Sequence, residues 1–484
     1  MPRLERGRTV RDLGLAHASL PPGAAQWRRL GRPGPALRAV LLLVGVALAG
    51  AGVAQSAPTH RDVTYATVGG RALQLDLYLP AVRTSPRPTL IWVHGGGWQS
   101  GSRSPPPAFA TALVDRGIAV ASISYRLTSQ AGGFGSEGVT FPAQIHDVRA
   151  AIRFLRANAA TYALDPARFG AWGSSAGGHL VALAGTSGND PALEGTIGGN
   201  LRHSSRLQAV VDYYGPTDLL NMGLDEAPAP GRPARHDLPT SPESLLVGFS
   251  AADEGLGVLR ANEANPLAPY PVWRTLAVQA NPITWVDAVD PPFFIAHGTA
   301  DGTVPPRQSE RLRDALRAAG ASPVHVAIDG AGHGGFPAAV QQQAQDFLVA
   351  RLTAPVIAIG EPRGLTGAWY DPAQSGQGFE FLWLDGGRFV VTFYGHRDDG
   401  GNLFLIGTRE GAPAYGEDLR IDLVATRGGR FNGFDAARIR REPWGALALR
   451  IDACDRATAT LDGADGRQSF ALAKLAGGPG PACD

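Results

Sequence analysis

The sequence is poor in the residues that build metal and redox sites. It contains only two cysteines, Cys454 and Cys483, and both lie near the C-terminus. Because there is no C-x-x-C pair and no cysteine/histidine cluster, no zinc or thiol-redox site and no other cofactor is expected. The formal net charge is only +1. So small a charge gives no reason to expect a nucleic-acid partner.

Long apolar runs are scarce as well. The run at residues 39–49 is short of the roughly 20 residues that a membrane-spanning helix needs. Arg38 precedes it and small residues follow at 50–54, which is typical of an export signal cleaved after Ala54. We therefore predict that residues 1–54 are an export segment and that the mature protein is secreted or periplasmic, with no stable membrane span. The alternative is a single membrane anchor.

The chain is long enough for two domains, with 484 residues of which 44% are hydrophobic. Between residues 58 and 353, strand-like apolar runs alternate with segments of helical periodicity. This alternation predicts an α/β domain with a doubly wound, mostly parallel sheet. Within it, residues 221–285 are rich in proline, lack strong periodicity and indicate a lid or pocket insertion.

The C-terminal part has a different character. Residues 354–363 are predicted to be a linker. Residues 364–484 carry short runs of alternating apolar residues between glycine- or aspartate-rich turns, which is typical of a small all-β domain. In an exported protein, a disulfide between Cys454 and Cys483 is expected to close its last segment. The alternating positions are Phe389, Val391 and Phe393; Leu403 and Leu405; Leu419, Ile421 and Leu423; and Leu447, Leu449 and Ile451.

The pattern G-x-S-x-G occurs at residues 173–177, before an apolar helical segment. In this pattern the central serine lies on a sharp strand-to-helix turn, where side chains at the glycine positions would collide with neighbouring backbone. The turn would expose the hydroxyl of Ser175 and direct the N–H of Ala176 towards a developing oxyanion. Ser175 is therefore the candidate nucleophile. Since the chain has 63 glycines, the pattern alone is weak and depends on partners elsewhere.

A serine nucleophile needs a base and an acid that orients the base. His333 lies in a glycine-rich loop after a predicted strand, and Asp301 lies just past the carboxyl end of another. The order Ser175, Asp301, His333 is that of the α/β-hydrolase template. These three are the predicted catalytic residues, whereas His179 and His297 are expected to be structural.

The negative charge that forms on an acyl oxygen also needs N–H donors. The segment His94-Gly95-Gly96-Gly97 follows a buried apolar run at residues 88–93, which is the position of an HGGG oxyanion loop. Gly96 and Gly97 carry no Cβ, so their N–H groups can approach one point together with that of Ala176. His94 is expected to support this loop rather than to react.

On these motifs, residues from about 63 to 352 resemble the α/β-hydrolase esterases of the hormone-sensitive-lipase type, and most closely their feruloyl/acetyl-xylan esterase-like (BD-FAE-like) branch. The resemblance implies a carboxylic-ester hydrolase that forms a covalent acyl-enzyme on small acyl or aryl esters. Acetyl or feruloyl esters linked to plant polysaccharides are among the implied substrates. The further segments that carry the resemblance are residues 165–166, 214–219, 297–305 and 308–310.

Residues from about 364 to 484 resemble a β-rich module found at the C-terminus of exported bacterial proteins, on the segments 367–372 and 375–379. That resemblance implies no function. Aromatic residues in the module suggest contact with polysaccharide or with the cell surface, the alternative being that they form its core. These residues are Trp369, Tyr370, Trp383, Phe393 and Tyr394.

Three other functions share part of this pattern. A serine peptidase of the prolyl-oligopeptidase kind has the same triad order, but its β domain usually precedes the catalytic one. An aryl-formamidase shares the H-G-G-x-W loop. The third alternative is a binding protein without catalytic activity. The presence of all three residues Ser175, Asp301 and His333 argues against it.

Overall fold

A computed structural model describes the greater part of the chain. The predicted export segment at residues 1–54 lies outside the described residues. Within the described part, no helix combines the length and the apolar character needed to cross a membrane. The described residues are 57–81, 86–130, 133, 139–188, 190–201, 203–226, 234–249, 251, 253–287, 290–354, 357–427, 435–475 and 483.

Eight strands form the sheet of the α/β domain. They are β1 (His60–Val68), β2 (Arg71–Tyr78), β3 (Arg87–Val93), β4 (Ala119–Ile123), β5 (Leu164–Ser174), β6 (Ala209–Tyr213), β7 (Phe293–Gly298) and β8 (Val324–Ile328). Their spatial order is β1-β2-β4-β3-β5-β6-β7-β8. β2 pairs antiparallel with β1 and β4, and all other neighbours pair parallel. The mostly parallel sheet predicted from the sequence is confirmed.

The helices of this domain are α1 (Ala108–Thr111), α2 (Ala143–Ala157), α3 (Ala159–Tyr162), α4 (Ala176–Thr186), α5 (Pro191–Glu194), α6 (Met222–Asp225), α7 (Pro242–Val247), α8 (Leu256–Ala261), α9 (Tyr270–Gln279), α10 (Arg307–Ala318) and α11 (Ala338–Leu352). They cover both faces of the sheet. Because side chains alternate along a strand, Ile91 and Val93 pack in one core with α2, α4 and α10. Leu90 and Trp92 pack in another with α1 and α11.

The insertion is more regular than its sequence suggests. Residues 221–285 were expected to lack strong elements, but their described part contains α7, α8 and α9. α7 has only six residues and begins at Pro242, with the Ser241 hydroxyl accepting the N–H of Ser244 as its cap. A helix this short shows too few turns for its apolar periodicity to be recognised in the sequence.

The C-terminal domain contains a closed barrel. Its strands are β10 (Gly367–Tyr370), β11 (Gly378–Leu384), β12 (Arg388–His396), β13 (Asn402–Glu410), β15 (Asp418–Arg427), β16 (Arg440–Ala453), β17 (Arg456–Gly463) and β18 (Gly466–Lys474), with the short β9 (Ile357–Ala358) and β14 (Ala414–Tyr415) pairing beside the ring. The eight main strands pair antiparallel in chain order, and β18 returns to β10. β9 lies within the predicted linker.

Apolar side chains fill the barrel, as expected for an eight-stranded ring. The alternating residues noted in the sequence, such as Phe389, Val391 and Leu405, are buried in one core. Trp369 and Phe393 belong to the same core and are only 1% and 2% exposed. These two aromatic residues are therefore core residues, and the suggestion that they contact a polysaccharide is wrong.

The expected disulfide between Cys454 and Cys483 is formed. Cys483 is buried in the barrel core, and its carbonyl accepts the N–H of Glu361 at 3.1 Å. The disulfide therefore fixes Cys483 to the turn between β16 and β17, and the hydrogen bond fixes it to the segment before β10.

Candidate active site

Ser175 lies on the turn between β5 and α4, with φ of 54° and ψ of −124°. Its N–H donates to the carbonyl of Tyr213 at 2.9 Å, which fixes the turn against β6. A Cβ at Gly173 would lie 2.2 Å from the carbonyl oxygen of Gly177, and one at Gly177 would lie 2.1 Å from that of Val93. Only glycine fits at these two positions, for the reason given from the sequence.

Two loops from neighbouring strands bring the predicted acid and base together. Asp301 follows β7 and His333 follows β8, and the N–H of Ala300 donates to the carbonyl of Ala331 at 2.9 Å. A Cβ at Gly298 would lie 2.2 Å from that carbonyl oxygen. The absence of a side chain at Gly298 therefore lets the two loops pack together.

The three predicted catalytic side chains form a continuous hydrogen-bonded chain. Nε2 of His333 lies 3.0 Å from Oγ of Ser175, and Nδ1 of His333 lies 2.7 Å from Oδ2 of Asp301. The second carboxylate oxygen of Asp301 accepts the N–H groups of Thr303 and Val304. With Nδ1–H donating to Asp301, the Nε2 lone pair faces the serine hydroxyl, the tautomer a general base needs.

The carboxylate of Asp301 remains ionised over the working range of most enzymes. Burial raises the pKa of Asp301, but hydrogen bonds from His297 and His333 outweigh burial and hold it well below its usual range. An ionised carboxylate beside the imidazole favours the imidazolium that forms when the base takes a proton.

His297 and Tyr214 also contact this chain, which the sequence did not indicate. Nε2 of His297 lies 3.0 Å from the Val304 carbonyl and 3.2 Å from Oδ2 of Asp301. The ring of Tyr214 packs on that of His333, with centroids 4.5 Å apart. His297 thus holds the acid and Tyr214 holds the base. The order of residues along the chain carries no signal for either contact.

The glycine loop lies against the serine turn. A Cβ at Gly95 would lie 2.7 Å from the carbonyl oxygen of Ser174. Gly96 and Gly97 have φ of 112° and 60°, in the region that favours glycine. Gly97 and Ala176 line one cavity with Ser175, whereas Gly96 is not among the described residues that line it. Ala176 is the first residue of α4, so its N–H has no partner within the helix.

His94 is buried beneath the glycine loop. Its Nδ1 lies 2.8 Å from the carbonyl oxygen of Gly95, and its ring stacks on that of Tyr125 at a centroid distance of 4.5 Å. The Tyr125 hydroxyl donates to the carbonyl of His94 at 3.0 Å. Burial lowers the pKa of His94, so the neutral ring is favoured. These contacts stiffen the loop from below.

His179 links the glycine loop to the insertion. Its Nδ1 accepts the indole N–H of Trp98 at 3.2 Å, and its Nε2 lies 2.7 Å from the carbonyl of Ala280, to which it donates. Burial lowers the pKa of His179 to about 4. The ring is therefore neutral at neutral pH, with the proton on Nε2.

A space of about 360 Å³ lies beside Ser175 and is called the Ser175 cavity here. The insertion forms one wall of it with residues 235, 236 and 240–243. Pro216, Thr303 and Val304, which lie outside the insertion, also line the cavity. The described part of the insertion thus lines the same space as the candidate nucleophile.

Comparison with known proteins points to one family. Residues 75–316, half of the chain, match the BD-FAE family model. The chain is 33% identical over 269 residues to Esterase LipQ of Mycobacterium tuberculosis, covering 55% of this chain and 54% of that protein. It is 30% identical over 266 residues to the probable carboxylic ester hydrolase LipM of the same organism, covering 54% and 53%. The chain thus spans about half the length of these curated relatives.

Among the similar solved structures is one that this chain covers almost entirely. It is described as a truncated form of a carbohydrate esterase from gut microbiota, and is 31% identical to this chain. The likeness covers 60% of this chain and 95% of that one, with a TM-score of 0.50. The fold of the N-terminal domain is therefore that of an α/β-hydrolase esterase.

We expect His179 to make stability pH-dependent. The pKa of His179 is about 4 in the folded chain and about 6.5 in the unfolded chain. The contribution of His179 to the free energy of unfolding is therefore complete above pH 6.5 and is lost as pH falls towards 4. The loss amounts to about 3 kcal/mol. Urea denaturation of the wild type and of His179→Gln at pH 7 and pH 4.5 measures it. The difference between the two proteins should shrink at the lower pH, and a constant difference would contradict the assignment.

Proposed function

Since the chain belongs to the BD-FAE family of carboxylesterase-type α/β-hydrolases, we propose that it is a serine carboxylic-ester hydrolase that uses Ser175, His333 and Asp301. The observation that carries the proposal is the hydrogen-bonded chain from Oγ of Ser175 through His333 to Asp301. It joins residues from three distant parts of the sequence at the carboxyl ends of the strands, where ligands bind in such sheets.

The proposed reaction has two steps. His333 takes the proton of Ser175 at Nε2 while Oγ attacks the ester carbonyl carbon, and the N–H groups of Gly96, Gly97 and Ala176 stabilise the tetrahedral oxyanion. His333 then gives its proton to the leaving alcohol, which leaves an acyl-enzyme. In the second step His333 activates water, and the acid is released.

The proposed substrates are small acyl or aryl esters, with acetyl and feruloyl esters of plant polysaccharides as the preferred candidates. The similar solved structure from gut microbiota is that of a carbohydrate esterase. This supports a carbohydrate as the alcohol part of the substrate. The Ser175 cavity supports a polar alcohol too, because Arg235, Thr240 and Glu243 line it.

We expect Ser175→Ala to lower kcat for p-nitrophenyl acetate by roughly 10⁴-fold or more, since the nucleophile is lost. Labelling by a fluorophosphonate probe should disappear with it. The matched control is Ser174→Ala at the neighbouring serine, which should still be labelled. Full activity of Ser175→Ala would contradict the proposal. Faster turnover of a proline-peptide anilide or of N-formylkynurenine by the wild type would favour a peptidase or an aryl-formamidase instead.

We propose that the mature protein is secreted or periplasmic. The basic residue and apolar run before residue 54 support this, as does the disulfide of the barrel, since disulfides persist in oxidising compartments. We expect mass spectrometry of the protein exported by a bacterial host to find a mature N-terminus close to residue 55. An uncleaved chain that stays with the membrane fraction would contradict it.

The barrel is proposed to contact polysaccharide through an aromatic pair on its outer face. Tyr394 and Phe404 are partners across β12 and β13, their ring centroids are 5.3 Å apart, and they are 47% and 42% exposed. His396 and Asn402 line a cavity of about 480 Å³ beside them. Exposed rings with hydrogen-bonding neighbours suit a sugar ring, which has an apolar face and hydroxyls at its edge.

We expect Tyr394→Ala and Phe404→Ala in the full-length protein each to weaken co-sedimentation with insoluble xylan or cellulose by about tenfold, because a stacking surface is lost. Leu384→Ala removes a side chain that is similarly exposed, at 43%, and should leave binding unchanged. No retention of the wild type on either polysaccharide would refute the contact.

A further inference from the structure

The insertion contributes two buried polar side chains to the Ser175 cavity. His236 and Glu243 both line the cavity, and they are only 7% and 4% exposed. They lie on either side of the cap of α7, where the Ser241 hydroxyl donates to the carbonyl of His236 at 3.1 Å. Their backbone is therefore held in position independently of any ligand.

These two side chains are close to each other but leave polar atoms without partners. Nδ1 of His236 lies 3.2 Å from Oε2 of Glu243. Nε2 of His236 and Oε2 of Glu243 are both buried, and within the described residues neither has a hydrogen-bond partner. His179 and His297 differ, because both of their ring nitrogens have polar partners.

A buried polar atom without a hydrogen-bond partner costs free energy, so most buried polar atoms in folded proteins are hydrogen-bonded. Here two such atoms, Nε2 of His236 and Oε2 of Glu243, lie in one wall of the cavity. Their presence indicates that a bound ligand supplies the missing hydrogen bonds. Oε2 of Glu243 is an acceptor, and Nε2 of His236 can accept or donate according to the tautomer. A hydroxyl group both donates and accepts, so hydroxyl groups can pair with both of these atoms.

We propose that His236 and Glu243 recognise free hydroxyl groups on the substrate and thereby select esters of polyhydroxylated alcohols. This inference rests on the proposed ester hydrolysis at Ser175. Because both residues line the same cavity as Ser175, the hydroxyl groups belong to the molecule whose ester is cleaved. His236 and Glu243 are specificity-determining residues here and take no part in the transfer of the acyl group.

The test compares esters with and without free hydroxyl groups. The substrates are a monoacetylated methyl pentoside, its peracetylated counterpart and p-nitrophenyl acetate. We expect the wild type to prefer the monoacetylated pentoside over the peracetylated one. We expect His236→Phe and Glu243→Gln to lower kcat/KM for the monoacetylated pentoside by about 10- to 100-fold, since each leaves a substrate hydroxyl without its partner. Turnover of p-nitrophenyl acetate should stay within about threefold of wild type.

Two further variants separate recognition from structure. His236→Gln keeps a polar group near Nε2 and should recover part of the lost kcat/KM. Val272→Ala changes a side chain of α9 that is 62% exposed and is not among the described residues that line the cavity, and should leave the preference intact. An equal fall for all three substrates would show a structural role and would overturn the inference.

The outcomes also separate this inference from the proposed function. A wild type that cleaves p-nitrophenyl acetate but does not distinguish the two pentosides overturns hydroxyl recognition alone, and this comparison needs no variant to fold. A wild type that cleaves no ester and does not react with a fluorophosphonate overturns both.

Discussion

The close approach of Gly177 to the end of β3 is the contact on which the rest of the candidate site depends. β3 and β5 pair parallel, with Val93 opposite Gly173, so the loops that follow them leave the same edge of the sheet side by side. The turn that bears Ser175 fits there only because Gly173 and Gly177 have no side chains. Through this packing, the glycine loop and the N-terminus of α4 flank one serine. The acid and base loops then approach from β7 and β8.

Much of this could be predicted because its causes are local. The glycines around Ser175 are required by a single turn, and Asp301 and His333 each follow a strand that is apolar enough to recognise. The strands and longer helices of the α/β domain were also recognisable, since α2 presents Ile145, Val148 and Ile152 on one fully buried stripe. Local patterns of this kind can be recognised from the sequence without the structure.

What could not be predicted arises from contacts between distant segments. Tyr214 contacts His333, and His297 contacts Asp301, only because β6, β7 and β8 are neighbouring strands. Neither contact can be inferred from the type of side chain. The helices of the insertion are short, with six residues each in α7 and α8, so their apolar periodicity is hard to recognise. His236 and Glu243 gain their significance from the cavity that they share with Ser175, not from any motif. In the barrel, closure depends on β18 returning to β10, a pairing between opposite ends of the domain.

The structure of a covalent adduct with a small alkyl phosphonate tests the central claim most directly. A phosphonate on a serine mimics the tetrahedral intermediate, so its free oxygen marks the position of the oxyanion. We expect the phosphorus on Oγ of Ser175, with that oxygen about 2.7–3.1 Å from the N–H groups of the glycine loop and of Ala176. An adduct on another residue, or an oxygen turned away from these N–H groups into solvent, would contradict it.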